Sequence, residues 1–503
     1  MSGFRNCLTA AILGGLAGAC AQAPTPEPVP APVTPPIAVA VDTPRAPTFD
    51  RTKPPAIGAL GRLTLPPVTR RQLDNGLELL VVEHHELPLV DMILVVKTGG
   101  EGDPGNKAGV ATLTASMLDE GAGRRSSLDI ADQEAFLGVQ VGTGSGWDQS
   151  IVSLHAPVAV LDSALALFAD VALRPTFPVS DLERLRKERL TDLLQLKDGA
   201  PQIADRAYAS ILYGERHPYG RPLTGTEAST RAIARADIQR FYQTYYRPNN
   251  ATPIVVGDVT ADDVGRRGRT LFGSWARGNV PEPRYTDPPA GLATGIYLID
   301  KPGAPQSSVR IGSVGVPRST DDYFAIQVMN TILGGAFTSR LMTNLRETHG
   351  YTYGASSGFS MRRSAGPFTA RAEVVGAKSD SSLIEFMKEL RAIREAVPET
   401  ELEKAKAYLQ LQLPGEFETT GDIANQLVPV VLYGLPLDYY NSYVQRIEEV
   451  TVADVQRVAE RYVDPSKLAV VVVGDRKAIE AGLRSLNLGE ISIRDITGQP
   501  VRR

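Results

Sequence analysis

Ala236–Asp258 returns, without a gap, as Ala453–Asp475. At a constant offset of 217 the identities are Ala236/Ala453, Asp237/Asp454, Gln239/Gln456, Arg240/Arg457, Tyr245/Tyr462, Pro248/Pro465, Val255/Val472, Val256/Val473, Gly257/Gly474 and Asp258/Asp475. Both copies read as a helix opening Asp-aliphatic-Gln-Arg, a Tyr-x-x-Pro stop, and a short apolar strand ending at Gly-Asp. A second echo lies upstream at an offset of 220, with Leu212-Tyr213-Gly214 against Leu432-Tyr433-Gly434 and Leu182-Glu183 against Leu402-Glu403. Two nested matches in one order define a duplicated domain of roughly 220 residues. That unit is too long for a stacked solenoid, so the expected architecture is two homologous lobes facing each other across a clam-like chamber.

Within each half, strands and helices mix. Leu77–Glu83, Val90–Lys97 and Ser308–Val314 are short and rich in Val, Leu and Ile, as strands are. Helical spacing runs through Ala108–Asp119, Ala159–Ala172, Ser180–Leu196, Tyr323–Leu333 and Glu399–Leu413, with Ser180 and Glu183 set as a capping box. The predicted class is α+β, each lobe a mostly antiparallel sheet with helices on one face. The expected boundaries are 58–278 for the first lobe, 279–294 for a Pro/Gly-rich linker, 295–490 for the second lobe and 491–503 for a tail.

Ahead of the repeat the chain does not read as fold. Arg5 precedes an apolar, small-residue run from Leu8 to Ala19, the pattern of a signal peptide over 1–20. Leu16-Ala17-Gly18-Ala19-Cys20 resembles a bacterial lipoprotein cleavage box with Cys20 as the lipidated residue, although Ala17 is smaller than the usual aliphatic there. Ordinary cleavage at Ala19-Cys20-Ala21 is the alternative. Residues 21–57 are dominated by Pro and Ala and read as a tether. Export to the periplasm, or to the outer membrane by a lipid anchor, is the localisation this implies. The other cysteine, Cys7, lies in the same leader, so the mature body has no disulfide or cysteine nucleophile. A net charge of -4 with both signs interspersed leaves no basic footprint for nucleic acid.

Several motifs in order carry a resemblance. Ala108-Gly109-Val110-Ala111 with Met117-Leu118 and Gly121, then His217-Pro218-Tyr219-Gly220-Arg221-Pro222, then Tyr246-Arg247-Pro248-Asn249-Asn250-Ala251 are similar to the insulinase/pitrilysin family of metallopeptidases. The likeness runs from about Leu65 to Leu488 and points to the two-lobe branch that includes the mitochondrial processing peptidase. Active members carry H-x-x-E-H on the helix after the Ala-Gly turn, two histidines one helical turn apart for zinc and a glutamate to polarise water. The matching positions here hold Thr112, Ala115 and Ser116. The family's third ligand, a glutamate seven residues after another, falls at Gln195, with Glu188 as the first of that pair. A hydroxyl is a poor zinc ligand and alanine is no base, so no cofactor is expected on this chain.

Other nucleophile or metal patterns fail. His84-His85 are strand neighbours that point to opposite faces, His155, His217 and His349 stand alone, and His217 reads as structural. Gly142-Thr143-Gly144-Ser145-Gly146 has no helix after it and so is not a nucleophile elbow.

In the second half, Gly334-Gly335-Ala336-Phe337-Thr338-Ser339-Arg340-Leu341, Leu345-Arg346-Glu347, Gly350 and Tyr353 match the family's carboxy-terminal motif. The resemblance assigns Arg346 and Tyr353 to holding substrate and stabilising the transition state in trans. A fixed guanidinium fork suits a peptide carbonyl and a phenol suits a developing oxyanion. The competing reading is structural, with Arg346 in a helix salt bridge and Tyr353 in the lobe core. The family logic then implies a non-zinc subunit of a heterodimeric peptidase, with zinc in a homologous partner subunit and a peptide substrate in a shared chamber. The alternative is a non-catalytic peptide-binding or scaffold protein of the cell envelope. A stand-alone metallopeptidase does not follow from these residues.

Overall fold

A computed structural model describes residues 65–289 and 293–501. The leader, Cys20 and the proline-rich segment lie outside those residues. Lobe 1 contains β1 (Val68–Gln72), β2 (Glu78–Glu83), β3 (Leu89–Val96), a two-residue hairpin β4 (Gly121–Ala122) and β5 (Arg125–Ser126), β6 (Gln140–Ser145), β7 (Ser150–Pro157) and β8 (Ala251–Gly257). Lobe 2 contains β9 (Gly295–Asp300), β10 (Gln306–Val314), β11 (Thr352–Phe359), β12 (Pro367–Val375), β13 (Ala469–Gly474) and β14 (Ile491–Arg494).

The repeat is visible strand by strand. The first sheet runs β1-β2-β8-β3-β7-β6 and the second β14-β9-β13-β10-β12-β11. The first residues of β2 and β9, of β3 and β10, and of β7 and β12 each stand 217 apart. Register repeats too, since Met92 faces Val255 and Val309 faces Val472. Only the edge strand differs: β1 pairs antiparallel to β2 from the amino-terminal side, whereas β14 pairs parallel to β9 from the carboxy-terminal side. Residues 491–494, assigned above to a tail, are thus part of the second sheet. Their Ile-Ser-Ile-Arg alternation is the period-2 pattern of a short edge strand.

Each sheet carries its own lobe's helices on one face. The other face holds a helix lent by the opposite lobe. Ile423, Ala424, Leu427 and Val430 of helix Thr420–Tyr433 pack on Ile93, Val95, Ile254 and Val256 of the first sheet. In return, Ile203, Ala204, Ala207 and Tyr208 of helix Ala200–Tyr213 pack on Ala469, Val471 and Val473 of the second. These two helices are the ones that end in the Leu-Tyr-Gly echo. Double-sided cover explains why β8 and β13 are buried at every position and read as unbroken apolar runs instead of alternating.

The lobes, parts of one compact unit, are also clasped by polar groups. The loop between β11 and β12 sends Arg363 into lobe 1, where its backbone N–H donates to Asp148 Oδ2 at 2.6 Å and its guanidinium donates to Lys97 O at 3.0 Å. The same guanidinium stands 3.1 Å from Glu101 Oε1, close enough for an ion pair but without hydrogen-bond alignment. Buried Asp148 also accepts from Tyr219 and, across the lobes, from Tyr433. Arg362 lies over the rings of Trp147 and Tyr219 at 4.7 and 4.5 Å. Burial pushes the Glu101 carboxyl up to about 7, against the opposing pull of Arg363 and the Tyr285 hydroxyl.

Candidate functional site

In lobe 1 the helix expected over Ala108–Asp119 is shorter, Val110–Ser116. Gly109 caps it at φ 95°, and a Cβ there would sit 2.7 Å from Thr224 O, so only glycine fits. Asp103 accepts the N–H groups of Gly109 and Ala111 at 2.6 and 2.7 Å, and Arg189 donates to Gly109 O at 2.9 Å from the neighbouring helix. That neighbour is Val179–Gln195, and its cap is Pro178; the Ser180–Glu183 capping box does not form. Ser180 lies one residue inside the helix with its hydroxyl on Asp181, because a proline at the cap already fixes the entry.

The three ligand positions of the family's zinc motif, and the position of its water-polarising glutamate, are committed elsewhere. Thr112 donates to Gly109 O at 3.1 Å and Ser116 to Thr112 O at 3.0 Å, both back-bonding within their own helix. Ala115 is 1% exposed and offers no donor atom. Gln195 is the exposed last residue of its helix, and Glu188 is engaged by Arg184 at 3.1 Å. Thr112 and Ser116 therefore come together on one helix edge, but neither Ala115 nor Gln195 completes them. The donor set does not fit zinc. Among the described residues, no other group of three His, Cys, Asp or Glu side chains is disposed to hold a metal ion. His85 binds Asp258 at 2.7 Å, apart from His84, and His217 is a buried cap that accepts from Tyr219 N–H. Burial, reinforced by Arg221 and Arg362, pushes the His217 imidazole down to about 4.

Lobe 2 presents its motif in the opposite way. Helix Tyr323–Asn330 runs into a π-helical turn, Thr331–Gly335, and a second π-helical segment, Thr343–Thr348, carries Arg346. Such wide turns are rare and cluster at functional sites. Gly334 is required by packing, since a Cβ would lie 2.4 Å from Ser357 N. Arg346 is half-buried, its nearest carboxylate is the adjacent Glu347 at 3.5 Å, and its guanidinium lies 4.8 Å over the ring of Phe337. Tyr353 is 90% exposed, which excludes the core-packing reading. It sits at an irregularity of the edge strand β11, where the register shifts between Thr352 and Ala355. The Thr352 hydroxyl pins that bulge by donating to Glu373 O at 2.7 Å and accepting from Gly354 N–H at 3.1 Å. Bulges re-aim side chains, and this one turns a phenol outward.

Phe337 is the feature that sequence reading passed over. It lay inside the motif without a role, yet it is 62% exposed and backs the Arg346 guanidinium. A large aromatic between two glycine-containing turns was the available signal.

Comparison with known proteins agrees with this picture. Residues 79–227 match the family described as Insulinase (Peptidase family M16), and residues 232–409 match the one described as Peptidase M16 inactive domain. An uncharacterized zinc protease of Mycobacterium leprae is 27% identical over 416 residues, which is 80% of this chain and 91% of that protein. A non-peptidase homolog of Helicobacter pylori, YmxG, is 22% identical over 399 residues, 78% of this chain and 91% of its own. A crystal structure of a peptidase M16 inactive domain from Pseudomonas fluorescens superposes with a TM-score of 0.76 at 30% identity, covering 81% of this chain and 98% of that one.

Proposed function

Because this chain belongs to the insulinase family of M16 peptidases and lacks the zinc ligands, we propose that it is the non-zinc subunit of an exported heterodimeric peptidase. Its partner is a homologous subunit that bears the zinc, and its contribution is Arg346 and Tyr353, held out toward a peptide in the shared chamber. The observation that carries this reading is the 90% exposure of Tyr353 on a pinned bulge, in the same motif as an Arg346 that, among the described residues, has only its sequence neighbour as ion-pair partner. Export and lipidation of Cys20 complete the proposal and rest on the leader alone.

The test is co-purification from the native envelope, followed by peptidase assay of the isolated chain, its companion and the pair. The pair alone should be active and chelator-sensitive. Activity of the companion that is indifferent to this chain would sink the heterodimer. In that case the second reading, a peptide-binding or scaffold protein, stands, in line with the non-peptidase description of the Helicobacter relative.

A further inference from the structure

Lobe 2 contains a cleft of about 520 Å³ between helix Glu399–Gln412, helix Ser379–Ala392 and the two π-helical segments. Neither Arg346 nor Tyr353 lines it. At the 217-residue offset, Thr331 and Ile332 of its wall match Thr114 and Ala115, and at the 220-residue offset of the following helix pair Tyr408 matches Glu188. The cleft is thus the lobe 2 counterpart of the junction that holds the altered zinc positions in lobe 1. It is of small-ligand size, within the usual range of about 300–1,000 Å³.

Its chemistry centres on Asn344, which lines the cleft and is only 8% exposed. The Asn344 amide donates to Glu385 Oε2 at 2.9 Å and to Glu389 Oε1 at 2.6 Å. Both N–H groups face carboxylates, so a turned-over amide would aim its oxygen at two anions, and the orientation is fixed. The Asn344 Oδ1 atom is left buried with no partner. A buried acceptor without a donor is destabilising, which makes it a place for an incoming N–H. Among the described residues Glu389, also on the wall, has no cation within ion-pair distance, and Lys404 on the opposite wall has no carboxylate. Ile332, Ala336 and Ala405 supply an apolar floor.

We propose that this cleft binds the free amino terminus of a short peptide. The ammonium group supplies three donors, which suit Asn344 Oδ1 and Glu389 together, and Lys404 meets the peptide's carboxylate. Arg340 and Lys388 also line the cleft but are engaged by Glu401 and Glu385, so a simple anion would compete for Lys404 while bringing negative charge against Asn344 Oδ1 and Glu389. The inference does not depend on the role proposed for Arg346 and Tyr353, and it is read on the purified chain without any partner.

The experiment is isothermal titration with tetra-alanine, N-acetyl-tetra-alanine and inorganic phosphate. Tetra-alanine should bind at one site, and acetylation should weaken it by about tenfold or more, as expected when a buried acceptor and carboxylate lose their donor. Glu389→Gln and the surface variant Lys404→Glu should each weaken binding by about fivefold, with unchanged circular dichroism. The proposal is overturned by absence of saturable binding at millimolar tetra-alanine, by equal binding of the acetylated peptide, by indifference to both substitutions, or by phosphate binding in preference to peptide.

Discussion

The two lobes keep one scaffold and treat their functional positions in opposite ways. In lobe 1, Thr112 and Ser116 turn their hydroxyls back onto their own helix, and Ala115 is sealed in the core. In lobe 2, Tyr353 stands in solvent on a bulge and Arg346 rests on an exposed phenylalanine ring. The glycines that shape each turn persist in both, Gly109 beside Thr224 and Gly334 beside Ser357. Fold constraints therefore do not separate the lobes. What separates them is whether a polar side chain has been given an internal partner, and in lobe 2 Tyr353 has been left to solvent.

The largest expected effect comes from unclasping the lobes, since the contrast has meaning only while they form one frame. Asp148 is 1% exposed and receives Tyr219, Tyr433 and the Arg363 backbone. Asp148→Ala strands these donors and leaves Arg363 and Glu101 to each other, a loss of about 3–5 kcal/mol typical of breaking a buried charged network. Thermal unfolding followed by circular dichroism should show a markedly lower midpoint or two separate transitions. A midpoint within a degree or two of the parent would mean that the helix exchange alone joins the lobes.

Next comes the asymmetry of function. In the proposed heterodimer, Arg346→Ala and Tyr353→Phe should each lower kcat/KM by about 100-fold, near 2.7 kcal/mol, the scale of losing one preorganised transition-state donor. Full activity of both variants would remove Arg346 and Tyr353 from the reaction. Phe337→Leu should fall between, because it removes the ring beneath the guanidinium at 4.8 Å but keeps the fold.

How much of this was legible in the sequence follows from what each residue's neighbours are. The duplication was open to reading because β8 and β13 repeat letter for letter at Val255/Val472 and Gly257/Gly474, and the altered zinc helix because Thr112, Ala115 and Ser116 stand where the motif must be. The exchange of helices was not. Leu212-Tyr213-Gly214 and Leu432-Tyr433-Gly434 revealed equivalence, but amphipathic spacing names an apolar face without naming the sheet it covers. Nor did spacing reveal the bulge at Tyr353, which depends on the Thr352 hydroxyl reaching Glu373 O on the adjacent strand. Ser180 failed as a cap for a local reason, since Pro178 starts the helix first.

A pH series sharpens the clasp. Glu101 is raised from 4.5 to about 7, chiefly by burial, so the folded state holds its proton where the unfolded chain has released it. Stability from this group is therefore present below about pH 4.5 and is lost as pH rises toward 7. Glu101→Gln should flatten that decline and leave the variant relatively more stable above pH 7, with the Tyr285 and Arg363 contacts kept in part. The same slope in parent and variant would show that Arg363 holds the carboxylate ionised throughout.

The smallest effect is expected where the contrast began. Thr112→Val with Ser116→Ala removes two hydroxyls whose acceptors are carbonyls of their own helix. Back-bonding of this kind adds little to a helix and can bend it, and the change should fall within about 0.5 kcal/mol. Peptidase activity of the pair should stay within about twofold, since no reacting group is lost. A loss comparable to that of Arg346→Ala would place a hydroxyl of lobe 1 against the substrate, and the two lobes would then share the work that their exposed and sealed side chains divide.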